Sequence, residues 1–355
     1  MSERWLYYMH KLIVPTGYMG SGSSALTDLI SEFEGYAADN GSFEYVFLHC
    51  PEGLFDLEDK LLLGNNALRS DEAIHSFEKR MRQLYKSKLW WVGNYKQHVG
   101  EEFWRDTEEF INSIVQFKSD SYWYMQETVN VMRFFKLAFR WMIRFLTRGK
   151  IELQKPLEYK KMYLSFVSEE EFYDCARKYV NNFLKCMGID EKNVILDQLL
   201  LPHNMFRVEK YFDERLECFI VQRDPRDVFI LNKYIWKYMG ELVPFPTDVN
   251  TFCNYYISLR ATERAYTSSH IHEIWFEDLI YKYDDMVEQI MQILNLKECD
   301  HINKKCNFNP EISINNTQLF RKKEYEKEVR IIEEKLQKYL YPFPYSFEVD
   351  LKRSF

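Results

Sequence analysis

The chain has 355 residues, enough for one large core or two modest ones, and its 46% hydrophobic and 17% aromatic content excludes a disordered protein. Its formal net charge of −7 argues against general nucleic-acid binding, which needs a basic footprint. The first eleven residues lack the apolar core of a secretory signal, and no run of about 18 apolar residues occurs, which predicts a soluble protein without a membrane span.

Along the chain, the apolar run 12–14 reads as a short buried strand. Gly17, Gly20 and Gly22 then allow a turn with unusual backbone angles, and Leu26, Leu29 and Ile30 follow at helical spacing. A strand, a glycine loop and a helix in that order aim backbone N–H groups and the positive end of a helix dipole at one point, where a phosphate can sit. Gly17 and Gly22 have the separation of a Walker A loop, but Ser23 and Ser24 stand where Lys-Ser/Thr is usual. Without that lysine the loop suits a phosphorylated donor better than ATP hydrolysis. The plainer alternative is a glycine-serine turn that binds nothing.

The β formers of 43–49 predict a second strand, ended by Cys50-Pro51-Glu52-Gly53. From about Phe55 the pattern turns helical and stays so through a segment of 55–190, with one helix opening at Ser70-Asp71-Glu72 and another near Asp106. Within it, Arg133, Lys136, Arg140, Arg144 and Arg148 recur mostly every four residues along 133–148, among Phe134, Phe135, Phe139, Trp141 and Phe145. The ordinary expectation is a core helix with a solvated basic face. The sharper ones are a cleft wall for an anionic acceptor, or peripheral contact with an acidic membrane surface. From Asn193 the pattern alternates again, with strands over 194–196, 218–221 and 271–276, an amphipathic helix through Met286 and Leu294, and a last helix over 325–340 stopped by Pro342 and Pro344. This order predicts one α/β domain over 1–355, a mostly parallel sheet covered on both faces, carrying 55–190 as a large helical insertion for the acceptor. Seven scattered cysteines, odd in number and without CxxC or zinc spacing, fit reduced thiols in a cytoplasmic protein.

Arg223-Asp224-Pro225-Arg226-Asp227-Val228 is the second informative stretch. Asp224 and Pro225 are a helix start, which leaves Arg223 at the carboxyl end of a buried strand, the edge where open α/β sheets bind ligands. A guanidinium there grips a phosphate with two parallel hydrogen bonds; the alternative is simple pairing of Arg223 and Arg226 with Asp224 and Asp227.

Together the two stretches resemble the sulfotransferases that use 3′-phosphoadenosine 5′-phosphosulfate (PAPS). Residues 17–24 look like their 5′-phosphosulfate loop, which implies donor contacts from Gly20, Ser21, Gly22, Ser23 and Ser24, and Arg223 looks like the start of their 3′-phosphate motif. Trp275-Phe276-Glu277-Asp278-Leu279 resembles a third recurring segment, and 313–321, ending in Arg321, resembles the one that closes over the nucleotide. The resemblance covers 11–30 and about 193–340 in the right order. It implies a fold of the P-loop kinase type, no metal and an intracellular donor. Three departures stand out. Gly20 replaces a usual Lys or Arg, Leu231 replaces a serine, with Asn232 next to it as a neutral donor, and no local motif marks the catalytic His or Glu. The missing charge is expected from Lys11, Arg321 or a lysine of the insertion.

Sulfuryl transfer needs a base for the acceptor hydroxyl and donors for the leaving oxygen. Residues beyond the strand ends are the candidates for the base: Glu52 and His203 first, then Asp197, with His49 and Glu44 on the strand over 43–49. His270 and His272, two apart on a strand, lack a third ligand and read as ordinary strand residues, and Glu277 and Asp278 as loop-holding carboxylates. The expected function is transfer of a sulfuryl group from PAPS to a hydroxyl of a glycan or glycolipid. A P-loop phosphotransferase and a non-catalytic nucleotide-binding module are the alternatives; the missing Walker lysine and the lack of a clear Mg²⁺ carboxylate set speak against the former.

Overall fold

The computed structural model describes residues 10–18, 20–38, 43–87, 92–119, 131–153, 161–236 and 245–347. Among these, the strands are β1 (Leu12–Gly17), β2 (Tyr36–Ala38), β3 (Phe117–Ser119), β4 (Met162–Leu164), β5 (Asn193–Ile195), β6 (Leu216–Gln222) and β7 (Ile271–Trp275). Five of them form one sheet in the order β2-β5-β1-β6-β7, with every pairing parallel. β3 and β4 make a separate antiparallel ribbon. The helices are α1 (Ser23–Ile30), α2 (Leu54–Leu62), α3 (Ala67–Lys86), α4 (Tyr95–His98), α5 (Glu102–Ile114), α6 (Val131–Leu146), α7 (Glu169–Cys186), α8 (Val208–Tyr211), α9 (Pro225–Ile230), α10 (Val249–Ala261), α11 (Phe276–Tyr281), α12 (Tyr283–Leu294), α13 (Pro310–Ser313) and α14 (Glu326–Lys335).

Strand side chains alternate between the two faces, so the sheet feeds two cores. Leu12, Val14, Cys218 and Ile220 share a core with α2, α3, α5 and α7, while Ile13, Phe219, Val221 and Ile274 share another with α1, α11 and α12. Helices α2, α3, α5 and α7 therefore build the layer over one sheet face. Phe47, Phe77, Phe103, Phe172 and Phe183 are fully buried there, and each such ring contributes about 1.5–3 kcal/mol by leaving water. A third core joins α9, α10 and α14.

Several elements differ from the sequence expectation. Residues 43–49 are not a strand. Phe43, Tyr45, Val46, Phe47 and Leu48 are buried, but the backbone turns, with Cys50 N–H donating to the Val46 carbonyl at 2.8 Å, and the buried Tyr95 hydroxyl takes the Val46 N–H at 2.8 Å where a neighbouring strand would have done so. The outer sheet position belongs instead to β2, which pairs with β5 through Ala37 and Val194. α3 starts at Ala67, capped by the Asn66 side chain accepting from Arg69 N–H at 2.9 Å. Ser70 and Asp71 lie inside it and accept the N–H groups of Ser165 and Tyr163 at 3.2 and 2.7 Å, which docks the β3–β4 ribbon region. α5 begins at Glu102, a turn before Asp106. α6 is not a core helix: its apolar side chains are exposed, Trp141 and Phe145 to 72% each. All seven cysteines are unbridged, and among the described residues no helix is long and apolar enough to cross a membrane.

Candidate functional site

Because the sheet is parallel, all its carboxyl ends open on one edge, and the central strand β1 delivers the glycine loop there. Gly20 and Gly22 take φ of 81° and 85°, left-handed values that a glycine adopts without strain. Gly22 is also the N-cap of α1 and brings no side-chain cap, so no capping side chain takes the first-turn N–H groups, although the Ala25 N–H donates to the Gly22 carbonyl at 3.0 Å. The Ser21 hydroxyl is buried and unpartnered.

Arg223 ends β6 beside this loop, 5% exposed. Its Nη1 donates to the Gly20 carbonyl at 3.0 Å, its Nη2 donates to the Asn316 carbonyl, and its Nε is buried without a partner. The guanidinium stacks 4.5 Å from the Phe276 ring, against which Gly22 also packs so closely that an added Cβ would lie 2.7 Å from it. Glu277 accepts the Asp224 N–H at 2.9 Å, and Asp227 accepts the Gln318 N–H at 2.8 Å. Asp224 caps α9 through the Arg226 N–H and binds the Tyr341 N–H at 2.9 Å. The four stretches around Gly20, Arg223, Glu277 and Gln318 thus meet in one hydrogen-bonded knot. Burial, reinforced by the Asp224 charge, pushes the Glu277 and Asp227 carboxyls above the usual carboxylate range. Burial pushes Arg223 down, partly offset by Asp227, Glu277 and Asp224.

The loop and Arg223 line a cleft of about 490 Å³, whose walls include Tyr18, Glu44, Gln198, His203, Trp236, Phe245 and Tyr255. The chain matches no protein-family model, no curated protein and no solved structure.

Gly20, Gly22, Ser23, Ser24 and Arg223 line this cleft, as does His203. Glu44 lines it too, and the other sequence candidates do not. Glu52 is held in a turn ahead of α2 with φ 64° and pairs with Arg80 at 3.3 Å. Asp197 sits under the loop against Ser23, with one oxygen buried and unpartnered, and burial pushes it up to about 6. Asn232 is fully buried and spends its Nδ2 on the Phe245 carbonyl at 3.2 Å, so it positions a cleft wall. Leu231 is buried in the α9–α10–α14 core, which accounts for an apolar residue there. The Arg321 side chain is not among the cleft linings and donates to Gln318. Lys11 lies at the amino end of the sheet, paired with Glu217 at 2.8 Å, and His272 joins the same carboxylate at 2.9 Å, away from the loop.

Two titratable candidates for the base remain at the cleft. His203 is pushed below the usual imidazole range by burial and then by the Arg260 charge, and its Nδ1 is buried without a partner. Its ring meets Tyr18 edge-on at 5.6 Å, and Tyr18 is held by donation to Glu263 and by the Arg260 guanidinium 4.5 Å over its ring. Glu44 is pushed up to about 7 by burial and then by Asp197. His49 is a strut: its Nε2 bonds the Gln198 carbonyl at 2.9 Å, and burial pushes it down to about 4.

Gln198 is the site residue the sequence reading passed over. With φ 58° it leaves β5, takes the Pro15 carbonyl through its N–H at 3.0 Å and donates from Nε2 to the Ser23 hydroxyl at 3.1 Å, which stitches β5 to the loop. Its place directly after a strand, next to Asp197, was the available signal.

Proposed function

We propose that this chain is a PAPS-dependent sulfotransferase acting on a hydroxyl of a glycan or glycolipid, with a P-loop type core. The observation that carries the reading is Arg223, a nine-tenths buried guanidinium with an unpartnered Nε, locked to the uncapped glycine loop at the carboxyl edge of a parallel sheet. Such a pairing of loop amides with a fixed guanidinium suits a donor bearing more than one phosphate. It also answers the departure at Gly20. An added Cβ there would come within 3.2 Å of the Trp236 ring, so Trp236 fills the space a longer side chain would use, while Arg223 brings its positive charge to the Gly20 carbonyl. The aromatic wall of Trp236, Phe245 and Tyr255 suits an adenine or a sugar face. An intracellular donor puts the site of action in the cytoplasm.

In the transfer, the bond from sulfur to the 5′-phosphate oxygen breaks as the acceptor oxygen bonds to sulfur. A ring nitrogen of His203 takes the acceptor proton, and the loop amides with Arg223 stabilise charge on the departing phosphate. A neutral imidazole is the required form, and its lowered pKa keeps it neutral at pH 7. With His203 as base, kcat/KM holds across neutral pH and falls only as pH drops through a value below the usual 6.5. An acid limb centred near 7 would assign the role to Glu44 instead. His203→Ala should cost about 10²–10⁴-fold in kcat.

Sulfur-labelled PAPS incubated with a pool of glycans and glycolipids, in the presence of a chelator, tests the function. Label on an acceptor is expected. Phosphoryl transfer from ATP that the chelator stops would make the chain a kinase, and donor binding without labelled product would leave a nucleotide-binding module.

A further inference from the structure

α6 is built the wrong way round for a globular protein. Plotted at 100° per residue, Phe134, Phe135, Phe139, Trp141, Met142, Phe145 and Leu146 share one half of the helix, and Lys136, Arg140 and Arg144 share a narrow arc opposite. A surface helix normally turns the apolar half inward. Here that half faces water, with Phe134 at 61%, Phe135 at 64%, Trp141 and Phe145 at 72% and Leu146 at 67% exposure. The half-covered residues are Leu137, Arg140, Ile143 and Thr147, on or beside the basic arc. Arg140 donates to the Leu153 carbonyl at 2.7 Å and reaches Glu152 at 3.4 Å, so the chain folds back over the basic side and leaves the aromatic side bare.

Charge selects the occupant. Six basic residues and no acidic one lie between Val131 and Ile151, in a chain of formal net charge −7. An anionic bilayer complements both halves, since aromatic and aliphatic side chains enter the boundary between headgroups and acyl chains while arginines and lysines meet lipid phosphates. At sixteen residues, α6 is too short to span a bilayer and long enough to lie in its surface.

We propose that α6 docks the protein on an anionic lipid surface, lying in the interface with the Phe135–Met142–Phe145 side down. The proposal stands apart from the donor chemistry, since none of its residues lines the cleft. Co-sedimentation of the full chain with phosphatidylcholine vesicles, with and without added phosphatidylserine, tests it. Binding to the anionic vesicles is expected, weakened at high salt and at least about tenfold weaker for Arg144→Glu with Arg148→Glu. Trp141→Glu with Phe145→Glu should abolish it while leaving the melting temperature unchanged, because both side chains are exposed. Equal binding by that variant, or no sedimentation with anionic vesicles, overturns the proposal. So does a dimer in lipid-free solution that the same variant dissolves, because the face then belongs to a second copy.

Discussion

Arg223→Ala is expected to reduce affinity for 3′,5′-adenosine bisphosphate by about a hundredfold or more, equivalent to about 2.7 kcal/mol. A charge-assisted hydrogen bond contributes about 1.5–3 kcal/mol, and this guanidinium is placed to offer more than one. The substitution also leaves the Gly20 and Asn316 carbonyls without their donor and removes the cation beside Asp227, Glu277 and Asp224. Stability should fall as well, by about 3–5 kcal/mol if the loss resembles that of one partner in a buried ion pair. Arg223→Lys separates the two effects. It keeps the charge and so most of the fold, but an ammonium cannot span both carbonyls, and its binding should still be about tenfold weaker. Calorimetry and thermal melting of both variants check this; undiminished binding in the alanine variant would remove Arg223 from the site.

Gly17→Ala should do comparable damage by a steric route. A Cβ at this position would lie 2.0 Å from the Ser21 hydroxyl and 2.7 Å from the Val221 carbonyl of β6. The serine can rotate, but the carbonyl is sheet backbone, so β1 and β6 must part where the loop begins. We expect a loss of about 1–3 kcal/mol or somewhat more, together with loss of bisphosphate binding. Gly64→Ala is the control. It takes φ 73° but meets only the Arg69 guanidinium at 3.8 Å, so it carries only left-handed strain, about 1–2 kcal/mol, and should bind normally. Normal bisphosphate binding by Gly17→Ala, equal to that of Gly64→Ala, would contradict the close approach at Gly17.

The sequence carried those parts of the fold whose signals are local. The run into Gly17, the glycines at 20 and 22 and the period from Leu26 to Ile30 mark β1, the loop and α1 within about twenty residues. Asp224 and Pro225 mark a helix start and thereby place Arg223 at a strand end. Other parts depend on contacts that the chain does not announce. β2 is three residues long, with only a tyrosine and two alanines to signal it. The β formers at 43–49 are committed to a core in which Tyr95, some fifty residues on, supplies the hydrogen bond to Val46 that would have signified a strand. Glu52 has the right local setting for a base, but Arg80 on α3 holds it elsewhere. The cleft wall draws Trp236, Phe245 and Tyr255 from positions with no shared motif. In α6 the periodicity shows two faces clearly, yet periodicity says nothing about which of them turns inward.

The central claim is a donor site for an adenosine carrying both 3′ and 5′ groups. Titrating the wild-type chain with 3′,5′-adenosine bisphosphate in a calorimeter, with ATP alongside, tests it most directly. Micromolar binding of the bisphosphate and much weaker binding of ATP are the predicted result. Absence of bisphosphate binding, or tighter binding of ATP, would contradict it.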